Sequence, residues 1–307
     1  MDAHDNAPVL LIHGGAGVIR KDTDESEQAI RTALADALRA GFAKLQAGGS
    51  ALDAVGAAVV ELEDAPHFNA GHGAVFTHDG GNELDAAIME GAGLRAGAIA
   101  GVQRVRNPIL LARAVMEHSP HVMLAGTGAE SFAQGQGIAL VEPDYFRTGH
   151  RWRQLQEALA KEATGKDSTD YFGTVGAVAR DARGRLAAAT STGGMTNKRW
   201  NRIGDSPVIG AGTYANAHCA VSGTGRGEFY LRTCAAHAIC MRVAQGEPLA
   251  GVAEDLINRE IPRLGGNGGA IVLGRDGAFA LPFNTQGMYR GWIGADGEPH
   301  VAIYRDE

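Results

Sequence analysis

Strands and helices come in blocks along this chain, and that order limits the fold more than any other feature. PVLLIHGGAG (8–17) is a short apolar run stopped by glycines and reads as a strand. Two helices follow back to back. DESEQAIRTALADALRAGFAKLQAGG (24–49) has helical apolar spacing, acids in its first turn and glycines at its end. SALDAVGAAVVELEDAP (50–66) opens with Ser50 and Asp53 in a capping-box arrangement and closes at Pro66. FNAGHGAVF is read as leading into a strand, THDGGN as a turn and ELDAAIME as the return. NPILLARAVMEH (107–118) offers Asn107 as N-cap and Pro108 at the first helical position. The second part opens with a hairpin, TVGAVAR/DARGR/LAAATST, and continues through PVIGAGTYAN into CAVSGTG. Two more helices, GEFYLRTCAAHAICMRVAQG and PLAGVAEDLINREIPRL, precede a last hairpin, GAIVLGRDGAFALPFN, which turns at Arg-Asp-Gly. Such blocks fit stacked layers of helices and sheets, an α+β architecture, better than a regular βαβ alternation.

Between the two parts the character changes. VEPDYFRTGHRWRQLQEALAKEATGKDSTDYF is polar and poor in long apolar stripes, although RWRQLQEALAKEA has the composition of a helix. A flexible connector is expected over about 141–173, ending at Gly173-Thr174.

Composition removes several function classes. Glycine, 44 of 307 residues, is about twice its usual share of ~7%, and it clusters in short groups that mark tight turns and backbone brought close to a ligand. The net charge of −7 argues against a nucleic-acid surface. MDAHDNAPVL has no basic n-region or apolar h-region, so no secretory signal is expected. No apolar run approaches the ~20 residues that span a bilayer. Cys219, Cys234 and Cys240 form no CxxC and no paired framework; they read as small core residues in a reducing cytoplasm. HGGAGVIRK lacks the third glycine of a dinucleotide loop and the GK[ST] of a phosphate loop, GTGAESFAQGQG (126–137) is no better, and neither GxSxG nor HExxH occurs. His118 and His121 flank a proline and read as surface, not as a metal centre.

Gly173-Thr174 is different. Threonine is a weak nucleophile unless a base stands beside it. A free α-amine on the same residue is such a base, with an unperturbed pKa of about 7.7–8.0 that suits proton transfer near neutrality. Freeing it requires the 173–174 peptide bond to break. Glycine before the cut leaves the carbonyl open and tolerates strained angles. The plain alternative is that Thr174 is only a β-branched strand residue.

Its neighbours favour the chemical reading. STGG (191–194) brings Thr192 to the end of the partner strand, within reach of Thr174. NRIGDSP (201–207) carries Arg202 and Asp205, a cation and an anion able to clamp the carboxylate and ammonium of an amino acid; the alternative is an exposed ion pair of little worth. SGTGRGE (222–228) places Thr224 and Gly225 in a bare turn at a helix start, where a hydroxyl and a backbone N–H can form an oxyanion hole.

Together these residues resemble the plant-type L-asparaginase / isoaspartyl peptidase family of the glycosylasparaginase superfamily, N-terminal-nucleophile (Ntn) hydrolases that cut themselves into two chains. The resemblance runs almost end to end: HGGAG (13–17), LEDAPHFNAGHGAVF (62–76), ELDAAIM (83–89), GTVGAVA (173–179), ATSTGGMTNK (189–198), NRIGDSPVIGAGTYAN (201–216), SGTGRGE (222–228), GGNGG (265–269) and LPFNTQGMYR (281–290).

The resemblance implies a four-layer αββα sandwich of the Ntn-hydrolase type. It implies one domain over 1–307, processed into an α chain (1–173) and a β chain (174–307) that assemble as (αβ)₂. Thr174 matches the family's nucleophile, Thr192 the threonine that hydrogen-bonds it, and Thr224 with Gly225 the oxyanion hole. Arg202 and Asp205 match the clamp for the substrate's α-carboxylate and α-amine, with Gly227 helping the former through its N–H. Asn69 matches an asparagine near the active threonine. The loop 62–72 matches a sodium-binding loop whose ligands are the backbone carbonyls of Leu62, Glu63, Ala65, Phe68, Ala70 and His72. His67 and His72 stand where apolar residues are expected, and Arg226 stands where something smaller is usual, so it is expected to narrow or recharge the mouth of the site. The implied substrates are L-asparagine and β-aspartyl dipeptides, with a structural Na⁺ and no organic cofactor. Two rivals are weaker. A glycosylasparaginase would be expected to carry a signal peptide and paired cysteines. An amino-acid-binding module would have no need of Gly173-Thr174.

Overall fold

A computed structural model describes residues 7–17, 24–165 and 173–307. Its strands form two sheets, and the alternation of side chains along them explains how four layers arise. In β1 (Val9–Gly17), Leu10 and Ile12 join a core shared with helices, while Val9 and Leu11 join a core shared with the other sheet. A strand buried on both faces reads as a continuous apolar run, as PVLLI does.

The larger sheet has eight strands. Its middle is β1, β5 (Val175–Arg180), β6 (Leu186–Thr192) and β2 (Leu84–Glu90), in that order. β11 (Gly287–Ile293) and β12 (His300–Tyr304) extend it beyond β1; β3 (Ala96–Val102) and β4 (Met123–Ala125) extend it beyond β2. All its pairings are antiparallel except β3 with β4. The smaller sheet runs β10 (Phe279–Ala280), β9 (Gly268–Gly274), β8 (Cys219–Gly225), β7 (Thr213–Ala215).

The outer face of the large sheet is covered by α1 (Asp24–Gln46), α2 (Ala51–Asp64) and α3 (Pro108–His118), through residues such as Leu38, Val55, Val59 and Ile109. The outer face of the small sheet is covered by α6 (Gly227–Thr233), α7 (Ala235–Ala244) and α8 (Leu249–Asp255), through Tyr230, Ile239 and Val252. Val178 and Ala188 of the first sheet meet Ala220 and Ile271 of the second between them. The fold is the αββα sandwich.

Local signals hold in part. Ser50 Oγ accepts from Asp53 N at 3.2 Å and Asp53 Oδ2 accepts from Ser50 N at 3.1 Å, a complete capping box. Asn107 precedes α3 but does not cap it. Its Nδ2 donates to Asp64 Oδ1 (3.1 Å), and Glu63 Oε1, reaching over from α2, accepts from Ile109 N (3.0 Å) instead. Residues 74–76 form no strand; Thr77 makes only an isolated bridge to Lys198, because Val75 N is taken by the Asn69 side chain. Cys234 is exposed at a left-handed joint between α6 and α7, while Cys219 and Cys240 are buried. His118 and His121 are exposed.

α4 (Gly126–Gly135) precedes the expected connector, which itself holds a 3₁₀ turn at Pro143–Phe146 and α5 (Gly149–Ala163). α5 is anchored by buried Leu155, Ala158 and Arg151, and Arg151 donates to Gly73 O (2.7 Å) and His67 O (3.2 Å). Few apolar stripes were visible there because the main anchor is a charged side chain. Residues 166–172 lie outside the described residues. No helix among the described residues is long and apolar enough to cross a membrane.

Candidate active site

The space between the sheets is apolar at one end and rich in hydroxyls at the other. On β6, Ala188 faces the inter-sheet core, so Thr190 and Thr192 share its face. On β8, Ala220 faces it, so Ser222 and Thr224 do as well. The same parity carries from Val178 through Gly176 to Thr174, just before β5.

Val175 pairs with Ser191, which places Thr174 opposite Thr192. Thr174 is 4% exposed, and its Oγ donates to Thr192 Oγ at 3.2 Å. Thr192 Oγ also accepts from Gly194 N (3.0 Å), so the glycines of STGG fold back to hold it. The carbonyl oxygen of Thr174 accepts from His13 Nδ1 at 2.9 Å.

Gly173 precedes it with φ of +35°, a left-handed conformation that costs glycine little. Gly15, at φ +111°, packs flat against this bond: a Cβ there would collide with Gly173 Cα and come within 3.0 Å of Thr174 N. Asn69 Nδ2 donates to Gly173 O at 2.8 Å and to Gly194 O at 2.7 Å, while its Oδ1 accepts from Val75 N (3.0 Å). A buried amide is thus fixed on the carbonyl of the 173–174 bond.

Thr224 and Gly225 end β8. Thr224 Oγ accepts from Ala16 N (3.2 Å), next to the Gly15 that covers Gly173. Tyr230 Oη donates to Thr224 O (3.1 Å) and pins the strand end.

Arg202 and Asp205 do not pair with each other. Arg202 follows a turn through Trp200 and Asn201, both left-handed, and Asn201 Nδ2 anchors that turn on Glu83 Oε1 (3.0 Å). Its guanidinium donates from Nε (2.9 Å) and Nη2 (3.1 Å) to Glu228. Asp205 is 4% exposed, and its Oδ2 has no hydrogen-bond partner among the described residues. Burial pushes its carboxyl up to about 7 while Arg202 pulls it down. Gly227 lies between the two: a Cβ on it would be 2.7 Å from Asp205 Oδ1 and 2.9 Å from Arg202 Nη2. A guanidinium beside a buried carboxylate oxygen that lacks a partner suits a zwitterionic ligand. Arg226 stands just before α6 without capping it through its side chain, its guanidinium 5.9 Å from the Phe229 ring centre.

The loop 62–72 turns carbonyls inward. Gly71 (φ +49°) lies so close to Glu63 O, and Gly73 to Phe68 O, that side chains on either would collide with those oxygens. Arg151 occupies the carbonyls of Gly73 and His67, two that are absent from the expected ligand set. Burial pushes the Glu63 carboxyl up to about 8.

Several residues at this end of the sandwich lie within the quoted motifs but were assigned no role. Asp85, opposite Thr192 across β2 and β6, is fully buried, with burial raising its carboxyl, and accepts from Gly101 N (2.8 Å). Buried Lys198 lies 3.3 Å from Glu83. His13, Thr190, Thr213 and Ser222 form a polar seam between the sheets. Besides their place in those motifs, strand parity puts Thr190 and Ser222 on the faces of Thr192 and Thr224.

The family model described as Asparaginase matches residues 6–303. The chain is 51% identical to an isoaspartyl peptidase of Salmonella typhimurium, covering 98% of this chain and all of the relative. It is 50% identical to an isoaspartyl peptidase of Escherichia coli, covering 97% of each chain. To a human isoaspartyl peptidase/L-asparaginase it is 41% identical, over 98% of this chain and 97% of the relative. With its glycine-threonine junction set between two sheets, the chain belongs to the plant-type asparaginase family of Ntn-hydrolases.

Proposed function

We propose that the chain cleaves itself between Gly173 and Thr174 and then hydrolyses L-asparagine and β-aspartyl dipeptides with Thr174 as the N-terminal nucleophile. The observation that carries the reading is the setting of Thr174: its Oγ lies 3.2 Å from Thr192 Oγ while Asn69 donates to the carbonyl of the preceding residue. In the first stage Thr174 Oγ attacks the Gly173 carbonyl carbon. The C–N bond breaks, a C–O ester forms, and the nitrogen takes the hydroxyl proton. Asn69 Nδ2 receives the developing oxyanion. Water then opens the ester, leaving the Gly173 carboxylate and the Thr174 amine, so that residues 1–173 and 174–307 become the α and β chains of an (αβ)₂ assembly.

In the second stage that amine takes the proton of Oγ as Oγ attacks the substrate's side-chain carbonyl. Thr192 orients the hydroxyl, Thr224 Oγ and Gly225 N stabilise the oxyanion, and ammonia or an amino acid leaves. Water releases aspartate from the acyl-enzyme. Arg202, with Gly227 N, holds the α-carboxylate, and Asp205 the α-ammonium. The carbonyls of Leu62, Glu63, Ala65, Phe68, Ala70 and His72 would hold a Na⁺ that stiffens the loop carrying Asn69. The inward carbonyls of Glu63 and Phe68 support that fit.

The test is Thr174→Ala. Intact mass and N-terminal sequencing should give two chains for the parent, the second starting at Thr174, and one uncut inactive chain for the variant. Normal processing of the variant would refute the reading.

A further inference from the structure

His13 lies on β1 opposite Gly176 of β5 and has no exposed surface. Its contacts admit one direction of hydrogen bonding. The Thr174 carbonyl, 2.9 Å from Nδ1, only accepts, so Nδ1 carries the ring proton. Nε2 is then a lone pair, and Ser222 Oγ at 2.9 Å must donate to it. With its proton so placed, Ser222 accepts from Thr190 Oγ at 2.7 Å. Thr190 in turn accepts from Thr213 Oγ at 2.6 Å. Thr190, Thr213 and Ser222 are also fully buried. Burial holds the imidazole neutral, pushing its pKa down to about 3, so no second proton blurs the order. Gly176 leaves room for the link, since any side chain there would collide with Ser222 Oγ and His13 Nε2.

The seam crosses from one sheet to the other and ends beside the ligand clamp. The single proton of Thr213 Oγ is shared between Thr190 Oγ and Ser206 O (2.9 Å), next in sequence to Asp205, and Gly212 N donates to Asp205 O (3.0 Å). At its other end stands the residue that loses a covalent restraint when the 173–174 bond breaks. From then on the direction of Thr174's amine and hydroxyl depends on β5 and on what holds its carbonyl.

We infer that His13 is a positioning residue for Thr174, kept in its Nδ1–H tautomer by the Thr174 carbonyl at Nδ1 and by Ser222 Oγ donating to Nε2, in a hydroxyl seam through Thr190 and Thr213 that ties the nucleophile's main chain to the Asp205 loop. This rests on Thr174 being the nucleophile. His13→Asn can place an amide N–H near where Nδ1 stands, whereas His13→Leu removes the donor. In the self-cleaved enzyme, His13→Leu should lower kcat by about 100-fold with KM changed by less than about twofold, and His13→Asn should recover most of that loss. Parent-like kcat in the leucine variant, or no recovery by asparagine, overturns the inference. If His13→Leu does not fold, Ser222→Ala takes its place. It removes the donor to Nε2, so the same loss of kcat at constant KM is expected, and parent-like kcat overturns the inference.

The tautomer can be read without activity. In the uncut Thr174→Ala chain, which keeps the carbonyl, ¹⁵N NMR should place the single ring proton of His13 on Nδ1 throughout neutral pH. A proton on Nε2 overturns the inference. Failure of the parent to cleave at Gly173 would instead count against the nucleophile and leave the ring assignment standing.

Discussion

Lowering the pH from about 8 to about 5 should strip the site selectively of its hold on a ligand's α-ammonium. Asp205 is the group expected to accept that ammonium, and burial pushes its carboxyl up to about 7 against the pull of Arg202. Below that value the ionised fraction falls about tenfold per pH unit, to about 1% near pH 5, and the ion pair goes with it. Raw turnover would mix this with the Thr174 amine, whose own titration is expected at about 7.7–8.0. Two competitive inhibitors separate them. L-Aspartate and succinate have the same two carboxylates, and only the first has an ammonium, so the contributions of Arg202 and of the amine cancel in the ratio of their inhibition constants. Ki for succinate divided by Ki for L-aspartate should rise about 100-fold between about pH 5 and 8, equivalent to about 3 kcal/mol, and then level off. In Asp205→Asn the ratio should be low and flat. A parent ratio that does not change with pH, or one that falls as pH rises, would refute Asp205 as the acceptor.

Three further outcomes are expected. Arg202→Ala should still cleave itself but raise KM for L-asparagine by about 10–100-fold, the worth of a charge-assisted bond; unchanged kinetics would mean the α-carboxylate is held elsewhere. Asn69→Ala should slow the appearance of two bands on a denaturing gel by about 100-fold, the usual cost of losing an oxyanion donor, and a parent-like time course would remove Asn69 from that role. Burial raises the Glu63 carboxyl to about 8 in the fold, whereas the unfolded chain releases its proton near the ordinary value of about 4.5. Its contribution to stability is therefore complete below 4.5 and is lost as pH rises through about 8. Glu63→Gln, which keeps an acceptor for Ile109 N, should gain on the parent by about 1.4 kcal/mol per pH unit across that window in urea unfolding, and a gain that shrinks with rising pH would reverse the argument.

The layers were legible because the sequence carries their periods. β1 and β5 are buried on both faces and read as unbroken apolar runs, and α2 announces itself through Ser50 and Asp53. What escaped was set by partners distant in sequence. FNAGHGAVF has strand composition, yet 74–76 pair with no strand because the Asn69 side chain and the turn at 71–73 claim that backbone. Asn107 has the ideal composition for a cap, but a carboxyl from another helix reaches the N–H first. α5 looked loosely held because its anchor is Arg151, whose hydrogen bonds end on carbonyls 78 and 84 residues away.

The site divides along the same line. Residues within one hairpin could be placed from register alone, and Thr174 and Thr192 are such a pair, since two antiparallel strands joined by a short turn bring their open ends together. Contacts between the sheets have no such local rule. His13 and Ser222 are 209 residues apart, and neither is remarkable until the sheets stack. Parity says that Thr190, Thr192, Ser222 and Thr224 look into the same layer, but not which hydroxyl meets which. That is decided by small strand residues, above all Gly176, which leave space where a larger side chain would hold the sheets apart. A change at Gly176 should therefore act on Thr174 without touching it: any side chain there must displace His13, the donor to the nucleophile's carbonyl, or Ser222, which holds the other side of that ring.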